Sequence, residues 1–151
     1  MGFVPRVTTS EAEEQMAVIK WAELMSNKHT CLKWLYHCPN GGSRNIAEAA
    51  NLKRMGVKAG VPDLCLPYPS NGHHGLYIEM KKDGGRLTAA QKDYLSWLNL
   101  NGYKAVMCKG AQEAIDVIWK YVTENVKEYE MLQSENREHG VYIHRGGDNG
   151  R

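Results

Sequence analysis

Hydrophobic and polar positions along the chain change period several times, and each change marks an element. From Ser10 to about Ser26, Ala12, Met16, Ile19 and Leu24 recur at roughly helical spacing, and Glu11, Gln15, Val18 and Ala22 form a second stripe with the same period. Ser10-x-x-Glu13 is a capping box that opens this helix. Leu32 to Cys38 is rich in β-formers and halts at Pro39, which predicts a first strand. A short helix is expected from Ile46 to Met55, ended by Gly56. Gly60 to Leu66 and Leu76 to Lys81 each predict a short strand bounded by Gly and Pro clusters. The connector from Pro67 to Gly75 is dense in turn residues, so these two strands pair as an antiparallel hairpin. Thr88-x-x-Gln91 is a second capping box, opening a helix that ends at Asn101-Gly102 and buries Tyr94, Leu95, Trp97 and Leu98. Lys104 to Cys108 is a further strand. A last helix begins near Ala111, carries Ala114, Ile115, Ile118, Trp119 and Val122, and runs to about Gln133.

The order α-β-α-β-β-α-β-α predicts one α/β domain, a small mixed β-sheet flanked by helices. Residues 1–9 read as an N-terminal arm, 10–133 as the domain and 134–151 as a flexible glycine-rich tail. A length of 151 residues suits a single core, and 42% apolar with 24% charged residues is ordinary for a globular protein. The net charge of +2 does not by itself announce a nucleic-acid binder, but its distribution is uneven. Residues 27–62 hold Lys28, Lys33, Arg44, Lys53, Arg54 and Lys58 against the lone Glu48. There is no membrane-length apolar run and no signal-peptide pattern. Cys31, Cys38, Cys65 and Cys108 are scattered without a Cys-x-x-Cys, so buried free thiols in a reducing cytoplasm are expected, and a zinc site is not.

The hairpin carries the chemistry. Side chains alternate across a strand, so Tyr77, Glu79 and Lys81 share one face, and Leu76, Ile78 and Met80 the other. If the leucine side is core, Asp63, Glu79 and Lys81 converge on the outer face. Charges on a strand usually form a solvated surface whose ion pairs are worth about 0–1 kcal/mol each. Here the Pro62-Asp63 dipeptide closes a Gly-Val-Pro turn and a matching strand follows. Two carboxylates and an amine on rigid strands make a divalent-metal site with a charged group beside it, the working part of a phosphodiester-cleaving enzyme.

Pro-Asp…Glu-x-Lys resembles the signature of the PD-(D/E)xK nuclease superfamily. Pro39-Asn40-Gly41-Gly42, Gly56 through Asp63, Ile78-Glu79-Met80-Lys81, Gly85-Arg86-Leu87-Thr88 and Gln91 resemble, in order, the virus-type replication-repair nuclease (VRR-NUC) domain over about residues 10 to 122. The resemblance implies a restriction-endonuclease-like core and a Mg²⁺ site, with Mn²⁺ as substitute, held by Asp63, Glu79 and the main-chain carbonyl of Met80. It also implies one glutamate from the first helix. Glu11 is the choice and Glu14 the alternative, although helix-dipole duty accounts for either. Lys81 is expected beside the attacking water. Gln91 completes its cap and, by resemblance, lines the site. Phosphate contacts are expected from Asn40, Arg44, Lys53, Arg54, Lys58, Lys82 and Arg86. The expected function is a metal-dependent, structure-selective DNA endonuclease resolving four-way (Holliday) junctions in viral replication or repair. It would act as a homodimer in the cytoplasm of a host cell or bacterium, and the apolar positions Trp119, Val122, Val126, Tyr129 and Leu132 suggest the interface. A flap endonuclease or exonuclease on the same fold and a non-cleaving nucleic-acid-binding module are the alternatives.

Overall fold

The computed structural model describes residues 9–39 and 45–138, with side chains up to residue 124. A four-stranded mixed sheet has the order β1-β2-β3-β4, with β1 Tyr36–His37, β2 Leu64–Leu66, β3 Leu76–Lys81 and β4 Lys104–Lys109. β2 pairs antiparallel with both β1 and β3, and β3 runs parallel to β4. The parallel pair needs a crossover, and α3 (Ala89–Leu100) supplies it. α1 (Glu11–Met25) and α4 (Gly110–Glu138) pack together on the opposite face, and α2 (Ile46–Arg54) lies between β1 and β2 in the chain.

The core divides along this three-layer plan. Leu64, Leu66, Leu76, Ile78, Met80 and Cys108 meet Val18 and Ala22 of α1 and Ala114, Ile118, Tyr121 and Val122 of α4. On the other face Leu95 and Leu98 of α3 cover Ala105, with Tyr77, Leu87, Tyr94 and Tyr103 around them. Both faces of β3 are thus covered where α3 crosses. The expected hairpin of β2 and β3 is present, with Leu64 opposite Ile78 and Leu66 opposite Leu76.

Several expectations are corrected. The strand expected over Leu32–Cys38 shrinks to the two-residue β1, and its first three residues, Leu32 to Trp34, belong to a 3-10 turn, Thr30–Trp34. Leu32 and Leu35 lie three residues apart, the period of a 3-10 turn, and Leu32 drops into the core while Lys33 and Trp34 face out. In α1 the inward stripe is Val18 and Ala22, whereas Met16 and Leu24 are exposed. Trp97 of α3 is exposed as well. Val122, expected at an interface, is fully buried in the core, and Trp119 packs edge-on against Trp21 and His29. The side chains of Val126, Tyr129 and Leu132 lie outside the described residues, as do the 1–8 part of the arm and the end of the tail. α4 continues past Gln133 to Glu138.

All four cysteines are free thiols, Cys65 and Cys108 buried and Cys31 and Cys38 half-buried. Among the described residues no helix is long and apolar enough to cross a membrane.

Candidate active site

Asp63 is the last residue before β2, and its main chain is tied to the edge strand. Its carbonyl accepts the Cys38 N–H at 2.8 Å and lies 2.8 Å from His37 Nδ1. A carbonyl only accepts, so this contact puts the His37 proton on Nδ1. Continuing the β2–β3 register past Leu64 sets Pro62 across from Met80, and proline has no N–H to donate. The Met80 N–H instead goes to Asp63 Oδ2 at 2.7 Å. The carboxylate therefore takes over a ladder position, and the Met80 carbonyl lies on the same edge of the strand.

Glu79 and Lys81 stand on the α3 face of β3, as the alternation predicts. The face is not an open surface, however. Glu79 is only 2% exposed, because the first turn of α3 and the loop before Asp63 close over it. Lys81 Nζ binds Glu79 Oε1 at 2.8 Å. Gln91 donates from Nε2 to the same oxygen. Gln91 also closes its capping box, its Oε1 accepting the Thr88 N–H at 2.9 Å and its own N–H reaching Thr88 Oγ1 at 3.3 Å. One residue thus serves both the helix and the site.

Glu79 Oε2 is buried with no hydrogen-bond partner. Burial pushes the Glu79 carboxyl above the usual carboxylate range; the Lys81 hydrogen bond opposes this, and the charges of Asp63 and Glu11 add to it. For Lys81, burial favours the neutral amine, but the hydrogen bond and the charges of Glu79, Glu11 and Asp63 outweigh it and raise its pKa. Lys81 is therefore an ammonium at neutral pH.

Glu11 lies at the N-terminal end of the inward stripe of α1, and its Oε1 accepts the Lys82 N–H at 3.1 Å, one residue past Lys81. Glu14 points elsewhere. It accepts the Ala111 N–H at 2.6 Å, capping α4, and also takes a hydrogen bond from Thr9. Lys53 and Arg54 in the last turn of α2, and Lys58, Lys82 and Arg86, are all exposed. Asn40 and Arg44 lie outside the described residues.

Two glycines missed as site residues hold this arrangement. Gly60 has φ +83°, and a Cβ there would stand 2.3 Å from the Ala90 carbonyl oxygen and 2.9 Å from the Gln91 nitrogen. Its bare backbone lets the Asp63 loop press against the start of α3, which brings Asp63 and Gln91 to one place. Gly85 folds back on Lys82 (N–H to carbonyl, 2.9 Å), and a Cβ there would sit 3.3 Å from the Lys81 stem. Gly-Val-Pro and the paired Gly84-Gly85 were visible in the sequence, but their contacts with α3 and Lys81 are tertiary.

The donor set is chemically suited to a hard cation. Asp63 has an oxygen beyond the one given to Met80, Glu79 Oε2 is unpartnered, and the Met80 carbonyl lies beside them. Among the described residues no three His, Cys, Asp or Glu side chains gather closely enough to hold an ion alone. Two carboxylates and a main-chain oxygen are the open set that suits Mg²⁺, which keeps several of its waters.

A family model of the VRR-NUC domain matches residues 6–112. A solved structure described as a VRR_NUC domain protein is 36% identical, with a TM-score of 0.67 over 77% of this chain and 90% of that one. No curated protein matches the chain.

Proposed function

The chain belongs to the VRR-NUC domain family of nucleases, and from that premise we propose that it is a Mg²⁺-dependent, structure-selective DNA endonuclease. The observation that carries this reading is the buried, unpartnered Oε2 of Glu79 beside Asp63 and the Met80 carbonyl. A nearly inaccessible carboxylate oxygen with no partner is costly unless something positive meets it. Asp63, Glu79 and the Met80 carbonyl would hold Mg²⁺, or Mn²⁺ in its place, with Glu11 at the margin. Bound there, the ion would neutralise phosphate charge and lower the pKa of a water.

The chain's own residues supply the rest. Lys81, kept as an ammonium, orients the attacking water and stabilises negative charge developing on the phosphoryl oxygens. Gln91 fixes the Glu79 carboxylate through its hydrogen bond to Oε1. Exposed Lys53, Arg54, Lys58, Lys82 and Arg86, together with Asn40 and Arg44, take the phosphate backbone and carry no base-reading pattern, which favours shape over sequence as the basis of selection.

Within that class we assign a four-way-junction-resolving homodimer acting in viral replication or repair, in the cytoplasm of host or bacterium. A flap endonuclease or exonuclease is the second reading, favoured by the single Asp63–Glu79 site among the described residues. The intact set Asp63, Glu79 and Lys81 speaks against a module that binds without cutting. Labelled linear, nicked, flapped and four-way-junction DNA, incubated with Mg²⁺ or with EDTA, tests the proposal. Junction cutting that EDTA abolishes is expected; cutting that survives EDTA would remove the metal, and inertness toward all four substrates would remove the nuclease.

A further inference from the structure

The row of residues next to the site runs across the sheet as Tyr36, Cys65, Tyr77 and Ala105. Aligned residues share a face, and Tyr77 and Ala105 lie under α3, so Tyr36 points to the same side as Asp63 and Glu79. α3 covers only the β3–β4 half of that face. At the β1 end Tyr36 remains 48% exposed although its neighbour Cys65 is buried. A single exposed aromatic is ordinary. Position sets this one apart. It lies two residues along the sheet from the Asp63 row, about 7 Å at the rise of a strand, so an exposed ring stands beside the proposed phosphate position.

We propose that Tyr36 is a base-stacking subsite, its exposed ring taking the face of an unpaired nucleobase adjacent to the phosphate held at Asp63 and Glu79. This rests on the nuclease reading above and deepens it, because a stacking platform selects strands whose bases are already free. A paired duplex keeps its bases stacked on each other and gains nothing from the ring. A junction centre, flap or gap presents such a base without the cost of unpairing. Tyr36 is in this sense a specificity residue and not part of the hydrolytic chemistry.

The test uses the full chain in EDTA and two DNA probes carrying 2-aminopurine, one unpaired at a branch point and one within a continuous duplex. Wild type and Tyr36→Phe are expected to quench the branch-point probe. Tyr36→Ala and Tyr36→Leu should lose the quench and bind branched DNA roughly tenfold more weakly, with duplex affinity unchanged. The leucine variant separates an aromatic face from mere apolar bulk, and circular dichroism verifies the fold. Equal quenching by wild type and Tyr36→Ala, or equal weakening toward both DNAs, overturns the subsite. If wild type still cuts branched DNA with Mg²⁺ in that case, the nuclease reading stands alone; if wild type neither binds nor cuts, both fall.

Discussion

Burying a carboxylate with one oxygen unpartnered sets stability against function at Glu79. Because burial, less the help of Lys81, raises its pKa, the folded chain holds the Glu79 proton to higher pH than the unfolded chain does. The stability from this group is present in full below the unfolded pKa and is lost as pH rises through the folded one. Mg²⁺ works in the opposite direction, since it needs the ionised carboxylate and binds better as pH rises. Thermal melts should therefore show a Mg²⁺-induced rise in Tm that grows as pH climbs above the usual carboxylate range and vanishes with EDTA. At a hundredfold excess over Kd the gain is about 2.7 kcal/mol. Glu79→Gln should abolish it, and a Mg²⁺ shift that persists in that variant would place the ion elsewhere. Asp63→Asn, Glu79→Gln and Lys81→Ala should each lower cutting by roughly 10²–10³ while DNA binding remains; full activity in a folded variant would discard that residue's role. Alternation along the strand was enough to bring these three side chains to one face. The burial of Glu79 was not legible, because it depends on where α3 lands.

The two glutamates of α1 make the same point. The sequence left Glu11 and Glu14 as alternatives, since both occupy the first helical turn. Glu14 is spent on the head of α4, its carboxyl held below the usual range by the Thr9 hydrogen bond and then by the Ala111 N–H. A depressed carboxyl contributes stability above its unfolded pKa and loses it as pH falls through the folded value. Glu14→Gln should thus lower Tm at neutral pH, with the difference from wild type closing below about pH 4. Glu11→Gln should lower Mg²⁺-dependent cutting and leave Tm nearly unchanged. The reverse pattern would exchange the two roles.

At the scale of elements, local signals served where caps and alternation decide structure and failed where packing does. Both capping boxes form as read from Ser10-x-x-Glu13 and Thr88-x-x-Gln91. The stretch from Leu32 to Cys38 misled because its β-forming side chains are compatible with a 3-10 turn once Leu32 has a core to enter. The loop from Gly56 to Asp63 offers a controlled test. Gly56 and Gly60 both have positive φ, +101° and +83°, but Gly56 has nothing within 4 Å of an added Cβ and Gly60 has the backbone of Ala90. Strain from the dihedral alone is of order 1–3 kcal/mol and applies to both. Gly56→Ala should therefore lower Tm and keep its turnover. Gly60→Ala should lose turnover well beyond its loss of Tm, because the Asp63 loop must move off the start of α3. Parallel melts and single-turnover cutting compare them, and equal turnover in the two variants would deny Gly60 a positioning role.

For the whole molecule, the sequence predicts one domain with one site, and how copies associate depends on which apolar positions the core leaves open. Resolving a four-way junction takes paired incisions, and one chain has one Asp63–Glu79 pair. A homodimer sets two such sites about a two-fold axis that matches the symmetry of the junction. The apolar stripe expected to build that interface is smaller than the sequence suggested. Val122 is needed by the core, whereas Trp119, edge-on to Trp21 and His29, still leaves 39% of its surface exposed. Beyond Trp119 lies the extension of α4 as far as Glu138, where Val126, Tyr129 and Leu132 follow one another at helical spacing. Truncation after Glu124 separates the alternatives, since among the described residues the side chains packed in the core all precede that point. If α4 makes the dimer, light scattering should give twice the chain mass for the full protein and a single chain mass for the truncated one. The truncated chain should also nick a fixed-arm junction on one strand where the full protein cuts both. A full-length monomer that prefers flaps would favour the end-trimming enzyme, and a truncated chain that stays dimeric would move the interface away from α4.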